Sequence, residues 1–271
     1  MTDLYAVIGN PIAQSKSPRI HAAFARQLGQ DLRYEAILGP LGGFRGAVDA
    51  FCAQGGKGLN VTVPFKLDAF ALATERTERA EEAGAVNTLK FEGAKIIGDN
   101  TDGAGLIADI RDRLGVILEG NRVLLMGAGG AARGVLLPLL REHAASITIA
   151  NRTVEKAIAL VRRFQPFGLV DGGDYARLAG HRFDVVINAT SASLYGEVPP
   201  VPAGVFAPAA LAYDMAYGSG PTPFLRYARE HGAERLADGL GMLVAQAAES
   251  FFLWRGVRPD IEPVIATLRA G

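Results

Sequence analysis

Gly127-Ala128-Gly129-Gly130-Ala131-Ala132-Arg133 is the stretch whose reading decides the fold. It follows the apolar run 123–126 and opens an apolar-periodic segment that continues to residue 140. Strand, glycine turn and helix start, in that order, let a backbone come close to a dinucleotide pyrophosphate. Gly127 makes the turn, Gly129 leaves room for phosphate, and Ala132 permits close helix packing.

The next apolar run, 147–150, ends in Asn151-Arg152-Thr153, where an NAD-type site places Asp or Glu. A carboxylate there accepts hydrogen bonds from a ribose 2′-hydroxyl but repels a 2′-phosphate, which a planar guanidinium grips instead. Read alone, Arg152 is an ordinary solvated arginine after a strand. The glycine turn upstream favours the phosphate reading, so NADP is expected over NAD, with Lys156 one helical turn on adding a second positive charge.

Length and composition bound the rest. The chain has 271 residues, 49% of them hydrophobic, enough for a large buried core in two modest domains. Its 28 basic and 28 acidic residues cancel without a dense basic block, which argues against nucleic acid as a partner. One cysteine, Cys52, excludes an internal disulfide and a multi-cysteine metal cluster. His21, His143, His181 and His231 lack ligand spacing and read as helix-end or surface residues, so no metal is expected. No apolar run approaches the roughly 20 residues of a membrane helix, and the sequence enters a strand-like segment at 4–8 with no secretory leader. A soluble, cytoplasmic protein is expected.

Periodicity gives strands at 4–8, 34–38 and 58–63 alternating with helices at 18–28 and 44–54, then helices at 65–73 and 78–83 and a hairpin of 87–91 with 95–98. After a helix expected over 102–114, a second series places strands at 123–126, 147–150, 185–188 and 211–214, with helices between them. The Gly- and Pro-rich segment 196–208 reads as a surface loop. The segments 241–254 and 262–269 read as apolar-rich helices, of a kind that returns to pack on the first domain. Such alternation implies an α/β protein: a mostly parallel N-terminal α/β domain plus a nucleotide-binding unit.

Three polar segments stand out in the first series. Ser15-Lys16-Ser17-Pro18 leaves the carboxyl end of a strand, where open α/β sheets collect ligands. Ser17 fits an N-cap and Pro18 the first helical position, so the segment reads either as a capped helix or as an anion site. Asn60-Val61-Thr62-Val63-Pro64-Phe65-Lys66 puts a lysine at a helix start, an unfavourable place for positive charge and one that packing does not require. Lys66 is either a solvated surface lysine or an acid/base group. Gly98-Asp99-Asn100-Thr101-Asp102-Gly103 joins the two series, and its members are either turn and cap residues or substrate ligands. Asn87 poses the same choice.

Taken together in this order, S-K-S-P, N-V-T-V-P-F-K, G-A-V-N-T-L, G-D-N-T-D-G, G-A-G-G-A-A-R, N-R-T, N-A-T-S, D-M-A-Y and D-G-L-G-M-L-V-A-Q resemble the bacterial shikimate dehydrogenase family over nearly the whole chain. The resemblance implies reversible NADPH-dependent reduction of 3-dehydroshikimate to shikimate. It implies a substrate-binding domain of 1–102 with 240–271 and a Rossmann-type NADP-binding domain of 103–239. Lys66 and Asp102 become the catalytic pair. Ser15 and Ser17 would bind the substrate carboxylate, and Thr62, Asn87, Tyr217 and Gln246 its ring substituents. Gly127, Ala128, Gly129, Gly130 and Ala131 would take the pyrophosphate, and Asn151, Arg152, Thr153 and Lys156 the adenosine phosphate end. Thr190 and Ser191 would close the cofactor site, with Met215 and Gly239 on the nicotinamide side. Departures are few: Ala13-Gln14 before S-K-S-P, and Ser193-Leu194-Tyr195 where a glycine and smaller residues are common.

The chemistry agrees with these residues. Reducing a ketone requires a proton for the developing alkoxide, and a carboxylate beside the amine would hold it and accept from a substrate hydroxyl. Sequence alone does not decide whether Lys66 donates the proton or acts as an electrostatic clamp. Quinate oxidation with NAD and turnover-free NADP(H) sensing are the rival activities. Expected partners are the small-molecule substrate and NADP(H), in a monomer or homodimer.

Overall fold

The computed structural model describes residues 2–270 and divides the chain into two compact units, Met1–Gly105 with Val244–Gly271, and Leu106–Leu243. The first unit contains β1 (Asp3–Gly9), α1 (Ser17–Leu28), β2 (Leu32–Leu38), α2 (Phe44–Ala53), β3 (Gly56–Val61), α3 (Lys66–Leu72), β4 (Glu75–Arg76), α4 (Glu78–Ala83), β5 (Thr88–Glu92) and β6 (Lys95–Asp99). Helix α5 (Asp102–Ile107) leaves it for the second unit. The second unit runs through β7 (Arg122–Met126), α6 (Gly130–Arg141), β8 (Ser146–Ala150), α7 (Val154–Phe164), β9 (Val170–Gly173), β10 (Phe183–Asn188), β11 (Phe206–Asp214), α8 (Pro223–Glu230) and β12 (Arg235–Asp238). Helix α9 (Leu240–Arg255) starts there, and from Val244 onward it belongs, with α10 (Glu262–Ala270), to the first unit.

The first unit's sheet has the order β2-β1-β3-β5-β6-β4. β1 pairs parallel with β2 and β3, whereas β5 runs antiparallel to both β3 and β6. That reversal is what assembles the site. Asn60 near the end of β3 faces Thr88 at the start of β5, and Thr88 faces Asp99 at the end of β6. The chain following β1, β3 and β6 therefore emerges at one edge, together with the chain entering β5.

Side chains alternate across β1 with the two-residue period of a strand. Ala6 and Ile8 join Phe44, Val48, Phe51 and Phe65 in one core, with α2 and the start of α3 packed on that face. Tyr5 points the other way and stacks on Trp254 of α9 at 4.8 Å between ring centroids. There α1 and α9 meet through Phe24 and Phe251, edge to face at 5.7 Å. Each such fully buried aromatic contributes about 1.5–3 kcal/mol of transfer free energy.

The second unit's sheet is entirely parallel, in the order β12-β11-β10-β7-β8-β9. This is the doubly wound nucleotide-binding order, with the reversal of winding between β7 and β10. Val123 and Leu125 enter one hydrophobic core and Leu124 and Met126 the other. Helices cover both faces, so β7 reads as an unbroken apolar run rather than an alternation.

Several local expectations are corrected. Helix 102–114 is not α-helical throughout: after Ile107 the backbone widens into a π-helix over Ala108–Arg113. Within it Asp109 is fully buried, accepts a hydrogen bond from Tyr213 Oη at 2.6 Å and pairs with Arg113. Periodicity carries no mark of such a long-range polar anchor. Ser17 is not an N-cap; the cap is Lys16, without a side-chain capping bond, and Ser17 is already helical beside Pro18. β11 begins at Phe206, inside the expected loop, and the short strands β4, β9 and β12 were not legible from two to four residues each. His21 is neither terminal nor exposed. It lies fully buried inside α1, stacked on Tyr34 at 4.2 Å and 5°.

Candidate active site

Lys66 begins α3, and Asp102 begins α5. Their side chains meet with Nζ 2.5 Å from Oδ2, at side-chain exposures of 17% and 9%, so the pair is largely shielded from water yet reachable. Low local dielectric strengthens such a contact. The second carboxylate oxygen is also engaged: Asn87 Nδ2 donates to Asp102 Oδ1 at 2.8 Å. With its two oxygens held by different partners, the Asp102 carboxylate has a fixed orientation.

Asn87 is itself fixed from both ends. Its Oδ1 accepts from the Thr101 backbone N–H at 2.9 Å and from Thr88 Oγ1 at 2.9 Å. Its Nδ2 also reaches Thr101 Oγ1 at 2.9 Å and Gln246 Oε1 of α9 at 3.4 Å. The loop carrying Asp102 is braced again at Asp99, three residues before it. Arg79 binds the buried Asp99 carboxylate with two nitrogens, at 2.6 and 2.5 Å, while Asp99 Oδ1 accepts from the Asn100 N–H at 2.7 Å. Asp99 and Asn100 are buried, and Asn100 Oδ1 accepts from the Asp102 N–H at 3.2 Å, the two-residue side-chain turn that its residue type favours.

Ser15 and Ser17 follow β1 at the same sheet edge, with Ser17 N donating to Ser15 Oγ at 3.3 Å. Thr62 follows β3, its N–H bonded to the Ile8 carbonyl at 3.0 Å. The first unit accordingly brings Lys66, Asp102, Asn87 and Gln246 into one hydrogen-bonded set and sets Ser15, Ser17 and Thr62 on the same edge.

In the second unit Gly127 leaves β7 with φ 109°, and a Cβ there would lie 3.1 Å from the Ala189 carbonyl group following β10. Only glycine turns the chain so close to the neighbouring strand end. A Cβ at Gly129 or Gly130 would meet nothing within 4 Å, so space remains over the start of α6, whose first N–H groups have no intrahelical acceptor. Ala128 lies in the same turn, and Ala131 is the second residue of α6. Asn151, Arg152, Thr153 and Lys156 follow β8, and the last three of these are exposed. Asn151 Nδ2 closes the turn on the Thr153 carbonyl at 2.8 Å.

A buried carboxylate missed by the sequence reading organises the opposite half of this unit. Asp214 accepts from Asn188 Nδ2 at 3.1 Å, Ser193 Oγ at 2.6 Å, Thr222 Oγ1 at 2.5 Å and the Ala216 N–H at 3.0 Å. Burial pushes its carboxyl above the usual range. Asn188 Oδ1 in turn accepts from Thr190 N and Oγ1, fixing the loop that leads to Ser191. Ser193 is therefore an internal ligand, not just a departure beside the motif. Met215 follows Asp214 and is met by Gly239, where a Cβ would stand 2.2 Å from the Met215 carbonyl oxygen. Tyr217, two residues on, has its hydroxyl pushed up by burial. Among the described residues no helix is long and apolar enough to cross a membrane.

A parallel sheet of this order with a glycine turn at its reversal point, carried in one chain with a shielded amine–carboxylate pair, defines a two-domain dinucleotide-dependent oxidoreductase. Residues 7–89 match the family described as shikimate dehydrogenase substrate binding domain, 110–196 shikimate / quinate 5-dehydrogenase, and 239–269 shikimate 5′-dehydrogenase C-terminal domain. The chain belongs to the shikimate dehydrogenase family. It is 64% identical over 270 residues to shikimate dehydrogenase (NADP(+)) of Nitrosospira multiformis, a match covering 100% of this chain and 98% of that one. Among solved structures it is similar to an Ael1 enzyme from Pseudomonas putida, with TM-score 0.93, 54% identity and 98% of each chain covered. It is also similar to shikimate 5-dehydrogenase from Thermus thermophilus in complex with NADP(H) and shikimate, with TM-score 0.89, 31% identity and 99% of each chain covered.

Proposed function

We propose that this chain catalyses the reversible NADPH-dependent reduction of 3-dehydroshikimate to shikimate, a step of aromatic amino acid biosynthesis, with Lys66 and Asp102 as the catalytic pair. The observation that carries the assignment of residues is the 2.5 Å Lys66–Asp102 contact with Asn87 on the second carboxylate oxygen. Lys66 Nζ supplies positive charge and a proton at the oxygen of the reacting carbonyl, and takes that proton back in the oxidative direction. Asp102 holds the ammonium and accepts a hydrogen bond from a neighbouring substrate hydroxyl, which orients the ring. Ser15 and Ser17 hold the substrate carboxylate, and Thr62, Asn87, Tyr217 and Gln246 its ring substituents.

The second unit's residues fit NADP(H), the group that exchanges hydride with the substrate carbon when bound. The open space at Gly129 and Gly130 suits a pyrophosphate against the start of α6, across Gly127, Ala128 and Ala131. Asn151, Arg152, Thr153 and Lys156 hold the adenosine 2′-phosphate end. Thr190 and Ser191 bound the site, and Met215 and Gly239 stand at the nicotinamide side. The first unit is thus the substrate domain and the second the cofactor domain, in a cytoplasmic monomer or homodimer. Nothing at Asn151-Arg152-Thr153 offers the carboxylate of an NAD site, which disfavours NAD-linked quinate oxidation.

The test follows NADPH absorbance with 3-dehydroshikimate, then with NADH, and in the oxidative direction with shikimate and quinate. Turnover with NADPH well above that with NADH is expected. A folded protein inactive on 3-dehydroshikimate overturns the proposal.

A further inference from the structure

Behind the Lys66–Asp102 pair lies a string of buried side chains in which every link donates in the same direction. Tyr34 Oη donates to Asn60 Oδ1 at 2.7 Å. Asn60 Nδ2 donates to Thr88 Oγ1 at 3.2 Å and to Ser250 Oγ at 2.9 Å. Thr88 Oγ1 donates to Asn87 Oδ1 at 2.9 Å, and Asn87 Nδ2 donates to Asp102 Oδ1 at 2.8 Å. Thr88 and Ser250 are fully buried, and Asn60 and Asn87 nearly so.

The direction has a physical origin. An amide presents an acceptor on one side and donors on the other, so a donor placed against Oδ1 decides where Nδ2 points. Were the Asn87 amide turned over, its oxygen would face the Asp102 carboxylate, and both Thr88 Oγ1 and the Thr101 N–H would face an NH2 group. Thr88 is able to donate toward Asn87 when its own oxygen accepts from Asn60 Nδ2 and from the Ser250 hydroxyl, 2.8 Å away, which in turn accepts from Asn60. The Tyr34 hydroxyl at the far end stays protonated, since burial holds it well above the usual phenol range. Chains of this kind polarise each successive bond.

We propose that Thr88 is a positioning residue for the reaction, the penultimate link of a one-way hydrogen-bond chain from Tyr34 to Asp102 that fixes the Asn87 amide and through it the catalytic carboxylate. Thr88 touches neither substrate nor cofactor in this role. The inference rests on the reading of Lys66 and Asp102 given above.

The isosteric Thr88→Val variant removes the donor, Thr88→Ser retains it, and Tyr34→Phe removes the first link. For Thr88→Val the expected result is a fall in kcat of about tenfold, with KM for NADPH within about twofold of the parent. Thr88→Ser should restore most of the activity, and Tyr34→Phe should lower kcat in the same sense by a smaller factor. Unchanged kcat in Thr88→Val, or equal losses in Thr88→Val and Thr88→Ser, overturns the proposal. If Thr88→Val fails to fold, Tyr34→Phe decides: an unaltered kcat there is equally fatal. Asp102→Asn separates the two failures, since an active Asp102→Asn enzyme refutes the catalytic pair itself, whereas an inactive one beside a fully active Thr88→Val refutes only the chain.

Discussion

Lys66 and Asp102, 36 positions apart in sequence, share a 2.5 Å ion pair, and each stands at the first residue of a helix. A carboxylate gains from a helix N-terminus while an ammonium loses. The favourable placement of Asp102 offsets the unfavourable one of Lys66, while Asn87 Nδ2 holds the other Asp102 oxygen at 2.8 Å. The pair is therefore a unit whose members are to be tested together.

Replacing Lys66 by Ala is expected to lower kcat by about 10²- to 10⁴-fold, the range for loss of a positioned acid/base group. KM for the substrate should change far less, because the Ser15, Ser17 and Thr62 edge remains. Steady-state kinetics of Lys66→Ala with 3-dehydroshikimate checks this, and undiminished turnover removes Lys66 from the mechanism.

Arg152 is exposed, so its contribution to binding a 2′-phosphate is screened by solvent. Arg152→Gln should raise KM for NADPH by about tenfold, equivalent to ~1.4 kcal/mol, with little change for NADH. The NADPH preference of the parent enzyme should also weaken as ionic strength rises. Parallel loss with both cofactors would assign Arg152 to folding instead.

Gly129 and Gly239 should respond to alanine in opposite ways. At Gly129 the new methyl meets no protein atom within 4 Å, so Tm should hold while KM for NADPH rises as the methyl occupies phosphate space. At Gly239 it would collide with the Met215 backbone, and the forced shift should destabilise the protein by about 1–3 kcal/mol. Thermal melts with and without NADP+ distinguish the two.

Burial pushes the pKa of His21 down to about 3 from an unfolded value of 6.5, outweighing the nearby Asn60 side chain, which acts in the opposite direction. The unfolded state thus takes up a proton that the folded state refuses. Stability contributed by the neutral ring is fully present above pH 6.5 and is lost as pH falls from 6.5 toward 3, by up to about 1.4 kcal/mol per pH unit. In His21→Phe, denaturant midpoints between pH 6.5 and 4 should decline less steeply than in the parent. An identical slope would mean that His21 is not the group responsible.

Much of the fold was legible because its signals are local. The apolar runs that became β1, β7 and β10 are continuous, as strands covered on both faces must be, and the glycine turn after β7 is a backbone requirement written in residue type. The lysine at the start of α3 was visible as a broken local rule. Ser250 and Thr88 were not visible, since a buried hydroxyl in a helix or strand looks the same in sequence as an exposed one. Asp214 hid in the same way, as did Asp109 in a helix whose period changes without a marker residue.

The order of motifs along this chain sufficed to specify two alternating α/β series, the dinucleotide turn and the residue types able to reduce a ketone, because strands, helices and turns are chosen by neighbours a few residues away. Tertiary structure alone decided which polar groups meet. Reversal of β5 between β3 and β6 lays Asn60, Thr88 and Asp99 side by side, and α9 delivers Ser250 to Asn60 across 190 positions of sequence. Contacts of that span leave no periodic trace, and their hydrogen bonds take direction only when burial removes the water that would otherwise satisfy them.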